Sequence, residues 1–245
     1  MRHVAALITI VLTLCGCSGG NHMHDDTKLS SEATEVADPS AFIAPLGSPV
    51  TTSHDGKPTS LLVLRLPDIW LPSGQVTASD GFIMDREAFS RHVKPGRYPL
   101  VLAIARLGDD ERVAFAILKF AESPIAKWEM AVTEGQDVTS LKKDQIFGYG
   151  VDSGIGCFCD PVAQKIINEA SDPQMRFFDR ASGEMEKVYR HTRSWVHVET
   201  KSGSAALFSS GFGDGVYASY FGLDEAGNVA VLLTDFSVVD WPRRP

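Results

Sequence analysis

The chain has 245 residues, 44% hydrophobic and 22% charged, a balance ordinary for a globular protein and too apolar for a disordered one. Lys and Arg number 23 against 31 Asp and Glu, a net charge of −8, which excludes the basic face that nucleic-acid binding requires. Four cysteines are too few for a disulfide scaffold, and no collagen-like or multi-span membrane pattern is present.

The chain opens on Met1-Arg2-His3 and an apolar run from Val4 to Leu14, which reads as a secretory signal too short to span a bilayer. Leu14-Cys15-Gly16-Cys17 resembles the bacterial lipobox, with Leu three positions before Cys17 and a small residue directly before it. Cys15 is the poorer acceptor, because Leu14 would then occupy the position that wants a small residue. The resemblance implies cleavage before Cys17, a diacylglycerol on its thiol and acylation of the new amino group. Two or three acyl chains anchor stably where one is marginal. Residues 1–16 are thus expected to be a lipoprotein signal peptide, and the mature chain a cell-envelope protein with the membrane as its anchor. Ser18, where Asp would signal inner-membrane retention, points to the outer membrane facing the periplasm in a Gram-negative host.

Residues 17–45 are polar and turn-rich, without a sustained period, and read as a lipid-anchored flexible tether. His22-Met23-His24-Asp25-Asp26 within it can chelate a metal, although a preformed site usually needs rigid backbone. Residues 46–245 are expected to form one globular domain. Strands are predicted at Ser60–Leu66, Tyr98–Ala105, Val113–Phe120, Trp128–Val132, Trp195–Thr200, Ala205–Phe208, Val216–Tyr220 and Val229–Thr234, from apolar runs and alternation bounded by turn residues. Gly108-Asp109-Asp110-Glu111 and Gly222–Gly227 read as hairpin turns. Asp160-Pro161 supplies N-cap and first residue for a helix through Ala170. Shorter helices are predicted from Asp85 to His92 and after Asp172-Pro173. The fold class is α+β, predominantly antiparallel sheet with a few short inserted helices.

Three segments then carry a family likeness. They are Pro95-Gly96-Arg97-Tyr98-Pro99; Phe147-Gly148-Tyr149-Gly150-Val151-Asp152-Ser153-Gly154-Ile155-Gly156-Cys157-Phe158-Cys159-Asp160; and Ser210-Gly211-Phe212-Gly213-Asp214-Gly215-Val216-Tyr217, followed by Gly222 and Thr234-Asp235-Phe236. Leu71-Pro72-Ser73-Gly74 and Trp128 fit as well. Together they resemble the bacterial domain-of-unknown-function family 4241 from about Leu61 to Val239. That resemblance implies no mechanism, catalytic residue or cofactor.

Asp152 to Asp160 is the most unusual stretch, with two carboxylates around Gly154 and Gly156. It reads either as a tight structural turn with Asp160 capping the next helix, or as a loop contacting a cation or ligand, though EF-hand spacing is absent. Cys157 and Cys159 fall on one strand face, where they are expected to be buried or joined by a strained disulfide. His92, His191 and His197 are the available bases for a thiolate, all distant in sequence. Gly211–Gly215 is followed by a strand-like run, which argues against a phosphate loop and for a turn braced by Asp214. Asp152, Asp214 and Asp235 are candidates to converge on one ion or polar ligand, with Asp160 near the first.

Gly-x-Ser-x-Gly, His-Glu-x-x-His, Cys-x-x-Cys and a Walker loop are all missing. The favoured expectation is therefore an envelope binding module for a protein or small polar ligand, an immunity-type role being one form. No cofactor is expected under it. The alternative is a hydrolase in which the Asp cluster holds calcium or magnesium.

Overall fold

In several strands of this chain apolar residues face both ways, so the sheet they build must be covered on both sides. The computed structural model describes residues 27–44, 53–54, 57–170 and 176–241. The signal segment, Cys17 and the His22–Asp26 run lie outside the described residues.

One antiparallel sheet has five strands in the order β1 (Lys28–Ser30), β12 (Trp195–Thr200), β13 (Gly203–Ser209), β11 (Ile155–Cys159) and β6 (Thr77–Asp80). The second has eight. Seven run in the order β10 (Tyr149–Val151), β14 (Gly215–Leu223), β15 (Val229–Asp235), β8 (Asp110–Lys119), β7 (Gly96–Leu107), β5 (Leu61–Leu71) and β2 (Thr34–Glu35), and β9 (Lys127–Met130) also pairs with β14. β3 (Ser53–His54) and β4 (Lys57–Pro58) form a separate small ladder. The helices are α1 (Ser40–Ile43), α2 (Pro161–Ala170) and α3 (Arg176–Glu186), with a 3₁₀ turn at Val138–Ser140.

The period of two sorts the five-stranded sheet's side chains into two cores. Cys157, Cys159, Val196, Val198, Ala205 and Leu207 face Ala163 and Ile167 of α2 and Phe177, Ala181 and Met185 of α3. The intervening Phe158, Trp195, Ala206 and Phe208 enter the core shared with the eight-stranded sheet. The result is three layers: helices, five-stranded sheet, eight-stranded sheet. Phe158 and Phe208 are wholly buried and meet edge to face at 5.5 Å, and each ring contributes about 2–3 kcal/mol by burial.

All eight predicted strands are present, and both predicted hairpins close, with Leu107 opposite Asp110 and Leu223 opposite Val229. Asp160 caps α2 as its sequence demands, accepting the Val162 N–H at 2.8 Å. A helix also follows Asp172-Pro173, beginning at Arg176. Asp85–His92 is not a helix. Its backbone donors are taken by neighbours instead, Phe89 N–H by the Val76 carbonyl and Ser90 N–H by that of Val132. Burial of the Phe89 side chain in the main core fixes that course.

Residues 28–35, expected to lie in a tether, are part of the fold. Residues 28–30 add a strand to one sheet opposite His197–Glu199, and residues 34–35 add one to the other opposite Leu64 and Arg65. Between them the Trp195 indole N–H donates to the Ser31 carbonyl at 3.0 Å, and Val36, Phe42 and Ile43 pack on the core. Polar composition concealed this segment because edge strands so short need few apolar residues. No described helix is long and apolar enough to cross a membrane.

Candidate functional site

At the end of β6 the carboxylate of Asp80, 2% exposed, organises the turn between β10 and β11. Oδ1 accepts the Phe82 N–H and the Ser153 hydroxyl, both at 2.8 Å. Oδ2 accepts the N–H groups of Asp152 at 2.9 Å and Ser153 at 2.8 Å. Burial alone would raise this carboxyl's pKa, but the four donors outweigh it and hold Asp80 below the usual carboxylate value. Gly154 completes the turn at φ +70°.

A second loop, Ser210–Asp214, leads from β13 to β14 and lies against the first. Ser210 N–H donates to the Gly154 carbonyl at 3.0 Å. The Gly213 carbonyl accepts from the Ser210 hydroxyl at 2.9 Å and from the Tyr217 hydroxyl at 2.7 Å. Gly211 adopts φ +52°, and a Cβ there would stand 2.7 Å from the Phe236 carbonyl, so only glycine fits without a shift. From the β7–β8 hairpin, Arg112 donates to the Gly211 carbonyl at 3.4 Å and sets its guanidinium 5.1 Å over the Phe212 ring. Asp110 holds Arg112 at 2.7 Å.

This bracing leaves a specific set of side chains outside. Phe212 is 49% exposed and Val216 60%, the latter opposite Gly150, which has no side chain to cover it. Asp152 and Asp214 are exposed, and neither carboxylate accepts a hydrogen bond or joins an ion pair among the described residues. The two loops thus present an aromatic ring and unpaired negative charge on a backbone held by Asp80, Ser210, Tyr217 and Arg112.

The other candidate carboxylates are structural. Asp160, fully buried, accepts from Ser73 N–H at 3.0 Å and the Ser73 hydroxyl at 2.6 Å in addition to capping α2. Asp235, 3% exposed, accepts from Ser237 N–H at 2.8 Å and the Trp241 indole at 3.0 Å. The candidate convergence of Asp152, Asp214 and Asp235 on one ion is not found. Among the described residues no group of three or more His, Cys, Asp or Glu is placed to hold a metal ion. Asp214 does not brace its own turn either. Ser210 and Tyr217 do so.

Cys157 and Cys159 are both buried free thiols, not a disulfide. Strand β11 is hydrogen-bonded on both sides, to β6 and β13, which holds residues i and i+2 about 6.5–7 Å apart, at the limit for bridging. Burial, then the neighbouring Cys157, pushes the Cys159 thiol well above its ordinary pKa, which disfavours the thiolate form. Among the described residues the Cys159 thiol donates to the Asp160 carbonyl at 3.1 Å, and no histidine is hydrogen-bonded to either thiol. His197 alternates with Val196 and Val198 and so lies on the opposite face of the sheet. Burial pushes it down to about 4 despite Glu199 Oε2 at 3.1 Å, and it is neutral at pH 7.

A family model described as protein of unknown function, DUF4241, matches residues 69–234, more than half of the chain. The chain belongs to this family. The match spans every group that builds the loop pair, from Asp80 through Arg112 and Ser153 to Tyr217. Searches of curated proteins and of solved structures returned no match. Sequence reasoning passed over Asp80 and Arg112. Asp80-Gly81 carried a usable signal, an Asx turn whose carboxylate bonds the N–H two residues on. Arg112 carried none, because it reaches Gly211 only through pairing of distant strands.

Proposed function

We propose that this protein is a lipid-anchored envelope protein whose domain is a binding module, docking a protein partner with a basic face on the paired loops. The observation that carries the reading is the exposure of Phe212 beside the unpaired Asp152 and Asp214 on turns held by Asp80, Tyr217 and Arg112. An exposed aromatic on rigid backbone is the anchor type that interfaces favour, and unpaired acidic groups steer a basic partner and select against acidic ones. The net charge of −8 supports the same polarity of partner. The leader through Cys17 supports envelope placement, with the outer membrane facing the periplasm as the Gram-negative form and an immunity-type role against a secreted toxin as one concrete use.

The test is cross-linked capture from envelope extract, with the chain from Ser18 onward as bait. Wild type is expected to retain a basic protein that both Phe212→Ala and the double variant Asp152→Asn, Asp214→Asn lose, at unchanged melting temperature. Identical capture by all three would remove the loop pair as the docking surface.

A further inference from the structure

Strand β11 turns two thiols toward the helices, and the groups around them form a cluster unlike the paired loops. Cys157 and Cys159 stand two residues apart on one strand, so both side chains leave the same face. Both are wholly buried free thiols. They lie within reach of each other, since a hydrogen bond between them is among the causes that raise Cys159.

Ser79 of β6 is directly opposite Cys157 in the antiparallel ladder, which sets the two side chains on one face with Cβ atoms about 4.5–5.5 Å apart. The Ser79 hydroxyl is wholly buried and has no hydrogen-bond partner among the described residues. An orphaned hydroxyl is costly in such a place, and the side chain across the ladder from it is a thiol. Near the start of α2 the Gln164 N–H acts on the Cys159 thiol, favouring its anionic form against the burial that opposes it.

The third sulfur of this cluster comes from a strained position. Met84 is wholly buried in it and adopts φ +46°, a left-handed conformation that costs any residue except glycine. Its backbone is held at both polar groups, the N–H by the Asp80 carbonyl at 3.0 Å and the carbonyl by the Asn168 amide at 2.9 Å. Among the described residues no histidine or carboxylate joins the two thiols in a metal-holding group, and Asp160, next to Cys159, is committed to Ser73 and the Val162 N–H. A zinc ion, which wants four nitrogen, sulfur or carboxylate ligands, is poorly served here. Soft copper(I) is satisfied by two thiolates and a thioether.

We propose that Cys157, Cys159 and Met84 bind one copper(I) ion beneath α2 and α3. Binding forms two thiolate–copper bonds and one thioether–copper bond, releases the two thiol protons to solvent and transfers no electron. The bound group carries one net negative charge, for which the Ser79 hydroxyl and the Gln164 N–H are the donors. This site uses no side chain of the paired loops and stands without them.

The test uses the chain from Ser18 onward with His22→Ala and His24→Ala in every sample, so that His22–Asp26 does not compete for the ion. Because the thiols are buried, copper(I) is supplied during refolding from urea without oxygen, and the loaded chain is then challenged with bicinchoninate, a copper(I) chelator. One copper per chain is expected to survive, with only sulfur bonded to it in X-ray absorption, while zinc(II) supplied in the same way is lost. Cys157→Ser and Cys159→Ser should each weaken retention at least about a hundredfold, and Met84→Leu about tenfold with the thiolate-to-copper absorption band kept. Circular dichroism of the metal-free variants checks that they fold. The X-ray absorption measurement needs no variant, and nitrogen or oxygen bonded to the copper would overturn the proposal. So would a natively folded wild type that retains no copper, zinc held as tightly as copper, or equal retention by the Cys157→Ser, Cys159→Ser double variant.

Discussion

The Ser153 hydroxyl donates to Asp80 Oδ1 at 2.8 Å across 73 residues of sequence, and the Ser153 N–H meets the other oxygen of the same carboxylate. One side chain thereby fixes the turn that carries Asp152. Asp80→Ala strips four donors of their acceptor, and destabilisation of about 3 kcal/mol is expected in chemical denaturation. Native-state hydrogen exchange at the Asp152 and Ser153 amides should accelerate well beyond that of β13. Asp80→Asn, which keeps one carbonyl acceptor, should fall between. Unchanged exchange at those amides would show that the turn is held by something else.

His197 and Asp80 contribute acid sensitivity in different pH windows. His197 titrates at about 4 in the folded chain against 6.5 unfolded. Between those values the unfolded state binds the extra proton, so stability present above pH 6.5 is lost as pH falls towards 4, by roughly 3 kcal/mol. Asp80 has a depressed folded pKa, so its contribution is present above the ordinary carboxylate value of 3.8 and is lost only below it. Denaturation midpoints measured from pH 7 to 4 should therefore slope downward in wild type and flatten in His197→Gln. A slope unchanged by that substitution would assign the window to other groups.

Removal of the segment through Val36 exposes the outer edges of both sheets and leaves the Trp195 indole without the Ser31 carbonyl. A loss of at least about 2 kcal/mol is expected, given several hydrogen bonds at roughly 0.5–1.5 kcal/mol each. Thermal melts of chains starting at Thr27 and at Ala37 make the comparison. Equal melting temperatures would return residues 27–36 to the status of a tether.

The two thiols of β11 lie beneath α2 and α3. In a chain starting at Ser18, maleimide labelling at neutral pH should be negligible in the native state and reach two groups per chain on unfolding. Rapid native labelling would contradict their burial.

How much of this could be read from the residues varies with the distance over which each group acts. The strands from Tyr98 to Phe120 and from Val216 to Thr234 announced themselves, because alternation and turn residues are local. The α2 cap was equally plain in Asp160-Pro161. Strands β6 and β11 were harder: Thr77–Asp80 is a strand because it lies against Cys159–Gly156, not through any alternation of its own. The carboxylates divide in the same way. Asp152, Asp160, Asp214 and Asp235 stand out in glycine- and aromatic-rich segments, yet the partners that make Asp160 and Asp235 structural, Ser73 and Trp241, appear only once the chain is folded. Asp80 drew no notice because three of the donors it accepts from arrive 72 and 73 residues later.

The most direct test of the binding reading is the Kd between this chain and the basic partner it captures. It should be measured for wild type and the Asp152→Asn, Asp214→Asn double variant at about 50 mM and about 500 mM salt. Removal of two steering charges is expected to weaken binding roughly tenfold at low salt, about 1.4 kcal/mol, with the gap closing at high salt as screening takes over. Equal Kd values for the two proteins at both salt concentrations would contradict the account.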